Sequence, residues 1–165
     1  MFADANLYHD KVTGRSDTGL LMMLNGTPID WFSMKQGCVE TATYGSEFVA
    51  ARFGVDKVVE MRYMLRMLGV PMKGPSIMFG DNLAVINSSA IPDDTLKKRH
   101  YVLSYHRVRE AIASKILKFY HIDGKENPAD VLTKFLDSKT WWHLLKHLLH
   151  WPEDDDQGQS PHKGN

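Results

Sequence analysis

The sequence has 165 residues and a mass of 18.8 kDa, a length typical of one domain with a sizeable core. Hydrophobic residues make up 43% and charged residues 24%, which excludes a wholly disordered chain. Lys and Arg together number 20, as do Asp and Glu, so a uniformly basic nucleic-acid-binding protein is excluded, although a local basic patch is not.

The single cysteine, Cys38, cannot form an intramolecular disulfide and favours a reducing, intracellular setting. No segment approaches the roughly 20 consecutive apolar residues of a membrane span, so no membrane partner is expected. The first ten residues lack the basic and apolar regions of a signal peptide. We divide the chain into one domain, residues 1–150, and an acidic, polar tail, residues 151–165, which is predicted to be disordered.

The first part of the chain is predicted to form strands. A strand ends near Asp4, but only three residues precede Asp4, whereas strands usually have about five residues. The first strand is therefore expected to be truncated, as if the domain came from a longer polypeptide. The second strand, residues 18–24, ends at Asn25-Gly26, a strong hairpin signal, and a third strand follows at residues 29–34.

Helices alternate with strands in the rest of the domain. Hydrophobic periodicity, Gly and Pro positions and capping residues predict a long helix at 43–68, a strand at 76–79, helices at 83–88 and 96–114, a strand at 116–122, a helix starting at Asn127-Pro128 and a last helix at 138–149. This order predicts an α/β fold in which helices flank a mixed sheet.

Four carboxylates lie at predicted element boundaries, where ligand sites of α/β sheets gather. They are Asp4 after the first strand, Glu47 in the first turns of the long helix, Asp81 just beyond a strand, and Asp130 in the first turn of a helix. Grouped carboxylates suit Mg²⁺, and two such ions about 4 Å apart can hydrolyse a phosphodiester. Taken singly, each acid also has a structural explanation as a turn residue, a cap or a helix-dipole partner, and spacing alone does not show that the four converge.

Five strings support a family resemblance: FADAN, VETATYGSEFVAAR, MFGDNLAVINSS, KKRHYVLSYHRVREA and FYHIDGKENPADVLTK, in this order. Together they resemble the ribonuclease H domain of copia-type retrotransposon (reverse transcriptase) polyproteins, over roughly residues 2–150. The resemblance implies the ribonuclease H-like fold, with a five-stranded mixed sheet flanked by helices. It also implies cleavage of the RNA strand of RNA–DNA hybrids with two Mg²⁺ ions, or Mn²⁺ as an alternative.

The same resemblance assigns roles to the four acids. Asp4 would bridge both ions, Glu47 and Asp81 would hold the first, and Asp130 the second. Hydrolysis would leave a 5′-phosphate and a 3′-hydroxyl. Two positions depart from the pattern: Gly45 stands where many members have an acid, and His121 precedes Asp130 within a predicted strand, so no role is assigned to it.

Basic residues are concentrated in the predicted helix at 96–114. Phosphate contacts by such residues are expected on a hybrid-binding surface, and a solvated helix face is the alternative. The candidates for nucleic-acid binding are Lys97, Lys98, Arg99, Arg107 and Arg109.

The sequence leaves three functions open. The first is a hybrid-cleaving ribonuclease detached from an upstream reverse transcriptase domain, located in a cytoplasmic particle or the nucleus. The second is a degenerate or domesticated fragment that binds nucleic acid without cutting it. The third is a metal-dependent phosphatase on a related fold, which would explain the carboxylates but not the basic helix.

Overall fold

A computed structural model describes residues 1–91, 102–146 and 148–149. Five strands and four helices follow one another along the chain: β1 (Phe2–Asn6), β2 (Asp17–Leu24), β3 (Thr27–Lys35), α1 (Thr43–Met67), β4 (Ser76–Gly80), α2 (Leu83–Ala90), α3 (Val102–Ala113), β5 (Leu117–His121) and α4 (Ser138–Leu145). Two short 3-10 helices, Gly124–Glu126 and Pro128–Leu132, lie between β5 and α4. The described helices include none that is long and apolar enough to cross a bilayer.

The strands form one mixed sheet in the order β3-β2-β1-β4-β5. The first three strands form an antiparallel meander, whereas β4 runs parallel to both β1 and β5. The predicted hairpin is confirmed: Asn25 and Gly26, with φ of 50° and 82°, connect β2 to β3. Both residues have the left-handed backbone conformation that a two-residue turn of type I′ requires.

Opposite faces of the sheet pack against different elements. Leu20 of β2 lies in the main core with Phe48 and Val55 of α1. Its neighbour Gly19 faces the other way, since a Cβ built there would lie 2.9 Å from the carbonyl oxygen of Ala129 in the 3-10 helix. The sheet is therefore covered on one face by α1 with α3, and on the other by the segment that carries Asp130.

The first strand differs from the expectation. Phe2–Asn6 has five residues, an ordinary length, and it pairs with β2 along its whole length. Asp4 lies in the middle of this strand, so the prediction that the strand ends near Asp4 is wrong. The expected strand was too short because the strand continues beyond Asp4, through Ala5 and Asn6, which pair with Thr18 and Asp17 of β2.

The last two helical segments differ from the prediction. The helix that starts at Asn127-Pro128 is a 3-10 helix, Pro128–Leu132, and Asn127 caps it as expected by accepting a hydrogen bond of 3.2 Å from the Ala129 amide. The final helix ends at Leu145 and not at residue 149. Part of the basic helix predicted at 96–114 is confirmed as α3, while residues 96–101 and the tail at 151–165 lie outside the described residues.

Candidate metal centre

Asp4 is the most deeply placed carboxylate of the protein's described part. It lies on the central strand β1 and is fully buried. The hydroxyl of Thr133 donates a hydrogen bond to Oδ2 of Asp4, and the ammonium of Lys134 lies 3.2 Å from Oδ1. An ionised carboxylate is costly to bury, so these two donors are the local reason that Asp4 is tolerated in the sheet.

Two further carboxylates approach Asp4 from neighbouring elements. Glu47 lies on the buried side of α1, and Asp81 follows β4 directly, one residue before the cap of α2. One carboxylate oxygen from each of Asp4, Glu47 and Asp81 lies within 4.8 Å of the other two. The structure thus brings together three of the four acids that the sequence singled out.

The fourth acid, Asp130, is linked to Asp4 through a shared contact with Lys134. Asp130 lies on the 3-10 helix, and its Oδ1 is 2.8 Å from Nζ of Lys134, which also contacts Asp4. Asn127 fixes this helix to β1, because its side-chain amide donates a hydrogen bond of 3.0 Å to the Ala3 carbonyl. Asp130 therefore stands beside Asp4, but it is not a member of the group of three within 4.8 Å.

Burial and mutual repulsion raise the pKa values of the acids around Asp4. Burial, followed by the charges of Asp4 and Asp81, places the pKa of Glu47 well above its usual range. Burial and the charge of Asp4 also raise the pKa of Asp81, and they raise that of Asp130 to about 6. A bound divalent cation would offset this concentration of negative charge.

Several residues of the site were not found from the sequence. Thr133 and Lys134 both contact Asp4, and the only available signal was the spacing of four residues between Asp130 and Lys134. His121, to which no role was assigned, is the last residue of β5, and its Nε2 lies 3.1 Å from the backbone carbonyl oxygen of Asp81. The structure thus places His121 beside the acid cluster.

The predicted nucleic-acid-binding residues have separate outcomes. Lys97, Lys98 and Arg99 lie outside the described residues. Arg107 forms ion pairs with Asp56 of α1 at 3.0 Å and with Glu110 at 3.2 Å.

The neighbouring Arg109 is also engaged within the protein. Its guanidinium stacks over the ring of Tyr105, hydrogen bonds to the hydroxyl of that residue, and donates to the Ser88 carbonyl at 3.3 Å. Hybrid binding by Arg107 and Arg109 stays a prediction, and both side chains already have partners within the protein.

The solved structures that this chain resembles share its architecture. LC11-RNase H1 in complex with an RNA/DNA hybrid superposes with a TM-score of 0.60 and 15% identity, covering 80% of this chain and 91% of that one. The foamy viral protease-reverse transcriptase, also with an RNA/DNA hybrid, gives a TM-score of 0.56 at 12% identity, covering 80% of this chain and 19% of that one. These similarities establish the ribonuclease H-like fold predicted from the sequence.

The sequence relatives give the family. No family model matches the chain. The Retrovirus-related Pol polyprotein from transposon TNT 1-94 of Nicotiana tabacum is 31% identical over 148 residues, which is 90% of this chain and 11% of that polyprotein. The chain thus spans about a tenth of the length of this relative. It matches the ribonuclease H domain of copia-type retrotransposon Pol polyproteins, as the five sequence strings implied.

Proposed function

We propose that this domain is a divalent-metal-dependent endoribonuclease that hydrolyses the RNA strand of RNA–DNA hybrids, next to a reverse transcriptase domain of the same polyprotein. One observation carries the proposal: oxygens of Asp4, Glu47 and Asp81, from three separate elements, lie within 4.8 Å of one another. The RNA/DNA hybrid bound by LC11-RNase H1, a protein of the same fold, supports the substrate class.

The residues present fit a divalent cation. Carboxylate oxygens are the hard donors that Mg²⁺ and Mn²⁺ prefer. Burial, followed by the charges of Asp4 and Asp81, raises the pKa of Glu47, and a bound cation would favour its ionised form. Asp4, Glu47 and Asp81 would hold one ion, and Asp4 with Asp130 a second. Bound ions would activate a water and stabilise the departing oxygen of an in-line phosphoryl displacement.

The protein itself positions the carboxylates that would bind the ions. β1 positions Asp4 in the centre of the sheet, and the Thr133 hydroxyl donates a hydrogen bond to Oδ2 of its carboxylate. His121 contacts the Asp81 carbonyl at the point where β4 ends, which limits the movement of the loop that carries Asp81. A site whose ligands are ordered before substrate arrives loses less entropy in the reaction.

The proposed function is tested with a hybrid whose RNA strand is labelled. We expect cleavage of that strand in Mg²⁺, none in EDTA, and a loss of at least about a hundredfold in Asp81→Asn because one metal ligand is removed. Asp30→Asn on the edge strand β3 makes the same chemical change far from the cluster and should cleave normally.

Two results would contradict the proposal. Hybrid binding without cleavage by the wild-type chain would identify a non-catalytic nucleic-acid-binding fragment, and release of phosphate from small monoesters would identify a phosphatase. The fragment alternative drew its support from a truncated first strand, and β1 has five residues, an ordinary strand length.

A further inference from the structure

Lys134 occupies a central place among the four acids. Its Nζ lies 3.2 Å from Oδ1 of Asp4 and 2.8 Å from Oδ1 of Asp130. The same side chain lines a surface cavity together with Glu47 and Asp81, and a second cavity together with Asp130. One ammonium group therefore stands between the group of three carboxylates and the fourth.

Hydrogen bonds other than the ion pairs of Lys134 also hold the 3-10 helix against the sheet. Asn127 already donates to the Ala3 carbonyl at 3.0 Å, and Asn6 donates to the Thr133 carbonyl at 2.9 Å. The Thr133 hydroxyl adds a third contact, to Asp4. With the backbone anchored by these neutral donors, the contribution of Lys134 is its positive charge.

That charge is strongly favoured where it lies. Nζ of Lys134 lies within ion-pair distance of one carboxylate oxygen of Asp4 and one of Asp130, and opposite charges this close attract each other. A second divalent cation between Asp4 and Asp130 would compete with the ammonium for the carboxylates of these two residues. The cation and the ammonium cannot both occupy that position, since two positive charges there would repel at short range.

We propose that Lys134 is a tethered cation that fills the Asp4–Asp130 half of the centre in the metal-free protein and must be displaced before a second divalent ion binds. This inference rests on the proposed metal centre and assigns Lys134 a role within it as a positioning residue. It predicts different affinities for the two ions. The site at Asp4, Glu47 and Asp81 is preformed, whereas an ion at Asp130 must compete with the ammonium of Lys134.

The test is a Mn²⁺ titration without nucleic acid, in which the free ion is measured by electron paramagnetic resonance. We expect the wild-type chain to bind one ion tightly and a second weakly. In Lys134→Met the second ion should bind at least about tenfold more tightly, because its competitor is gone. Lys134→Arg keeps the charge and should keep the second step weak, and Lys134→Gln replaces the Met variant if that variant does not fold.

Matched variants locate the effect. Lys139→Met removes one positive charge from an exposed position on the rim of the second cavity, and it should bind both ions as the wild type does. Adding Asp130→Asn to Lys134→Met should abolish the tighter binding of the second ion, because Asp130 is a ligand of that ion and the two substitutions act on the same site. In EDTA, Lys134→Met should melt at a lower temperature than the wild type, and Mn²⁺ should raise its melting temperature by more.

The results that overturn the inference differ from those that overturn the metal centre. An unchanged second step in Lys134→Met, or an equal gain in Lys139→Met, refutes the role of Lys134 while the tight first step stands. If the wild-type chain binds no Mn²⁺, or if Asp81→Asn binds the first ion as tightly as the wild type, the proposed centre itself fails.

Discussion

The carboxyl of Asp130 should make the metal-free protein less stable as the pH rises. Burial, together with the charge of Asp4, raises its pKa from the ordinary 3.8 to about 6. Below about pH 4 this carboxyl is protonated in both the folded and the unfolded state. Between about pH 4 and pH 6 the unfolded chain releases the proton first, so the folded state binds more protons and folding loses stability as the pH rises.

The size of the effect follows from the shift. A difference of about two pKa units corresponds to roughly 3 kcal/mol, all of which is lost by pH 7. Asp130 is only 7% exposed, so solvent screens little of this energy. Divalent cations should reverse the sign, because they bind the ionised carboxylate and stabilise the folded state more at higher pH.

Urea unfolding in EDTA from pH 4 to pH 7.5 measures this directly. Asp130→Asn cannot titrate, so the difference in unfolding free energy between variant and wild type should grow by about 3 kcal/mol across that range. Asp123→Asn is the matched control, since Asp123 is exposed and Asn also caps its 3-10 turn. Parallel profiles for wild type and Asp130→Asn would refute the idea that burial beside Asp4 is what raises the pKa.

The other predictions concern the packing around the acids and the basic helix. Gly19→Ala should cost about 1–3 kcal/mol in chemical unfolding, because its Cβ would lie 2.6 Å from Cγ2 of Thr133 and 2.9 Å from a backbone carbonyl. Glu47→Gln should stabilise the metal-free protein by about 1 kcal/mol, seen as a higher melting temperature in EDTA, while hybrid cleavage is lost. Arg107→Ala should lower the melting temperature, because its ion pair with Asp56 is lost. Lys98→Ala should flatten the salt dependence of hybrid binding, because a cation predicted to contact phosphate is removed.

The element order was accessible from the sequence because its signals are local. The hairpin at Asn25-Gly26 and the capped turn at Asn127-Pro128 each depend on residues a few positions apart, and both are confirmed. The length of β1 was not accessible by the same means. Its extent follows from pairing with β2, in which Phe2 lies opposite Leu21 and Asn6 opposite Asp17, and no local pattern encodes that register.

The acids lie close together because of the order of the strands in the sheet, and hydrophobic periodicity does not predict that order. Asp4 and Asp81 come together because β1 and β4 are neighbours in the sheet although three elements separate them in the chain. The resemblance to a known family supplied that convergence in advance, since it transfers a complete arrangement onto matching residues.

A family resemblance identifies the metal ligands but not the positive charge that compensates them when no metal is bound. The negative charge of Asp4 and Asp130 must be compensated during folding, before any ion is present, and Lys134 lies within ion-pair distance of both. A lysine four residues after an acid is ordinary in any sequence. It acquires its meaning only when Asp4, 130 positions away, shares the same ammonium group.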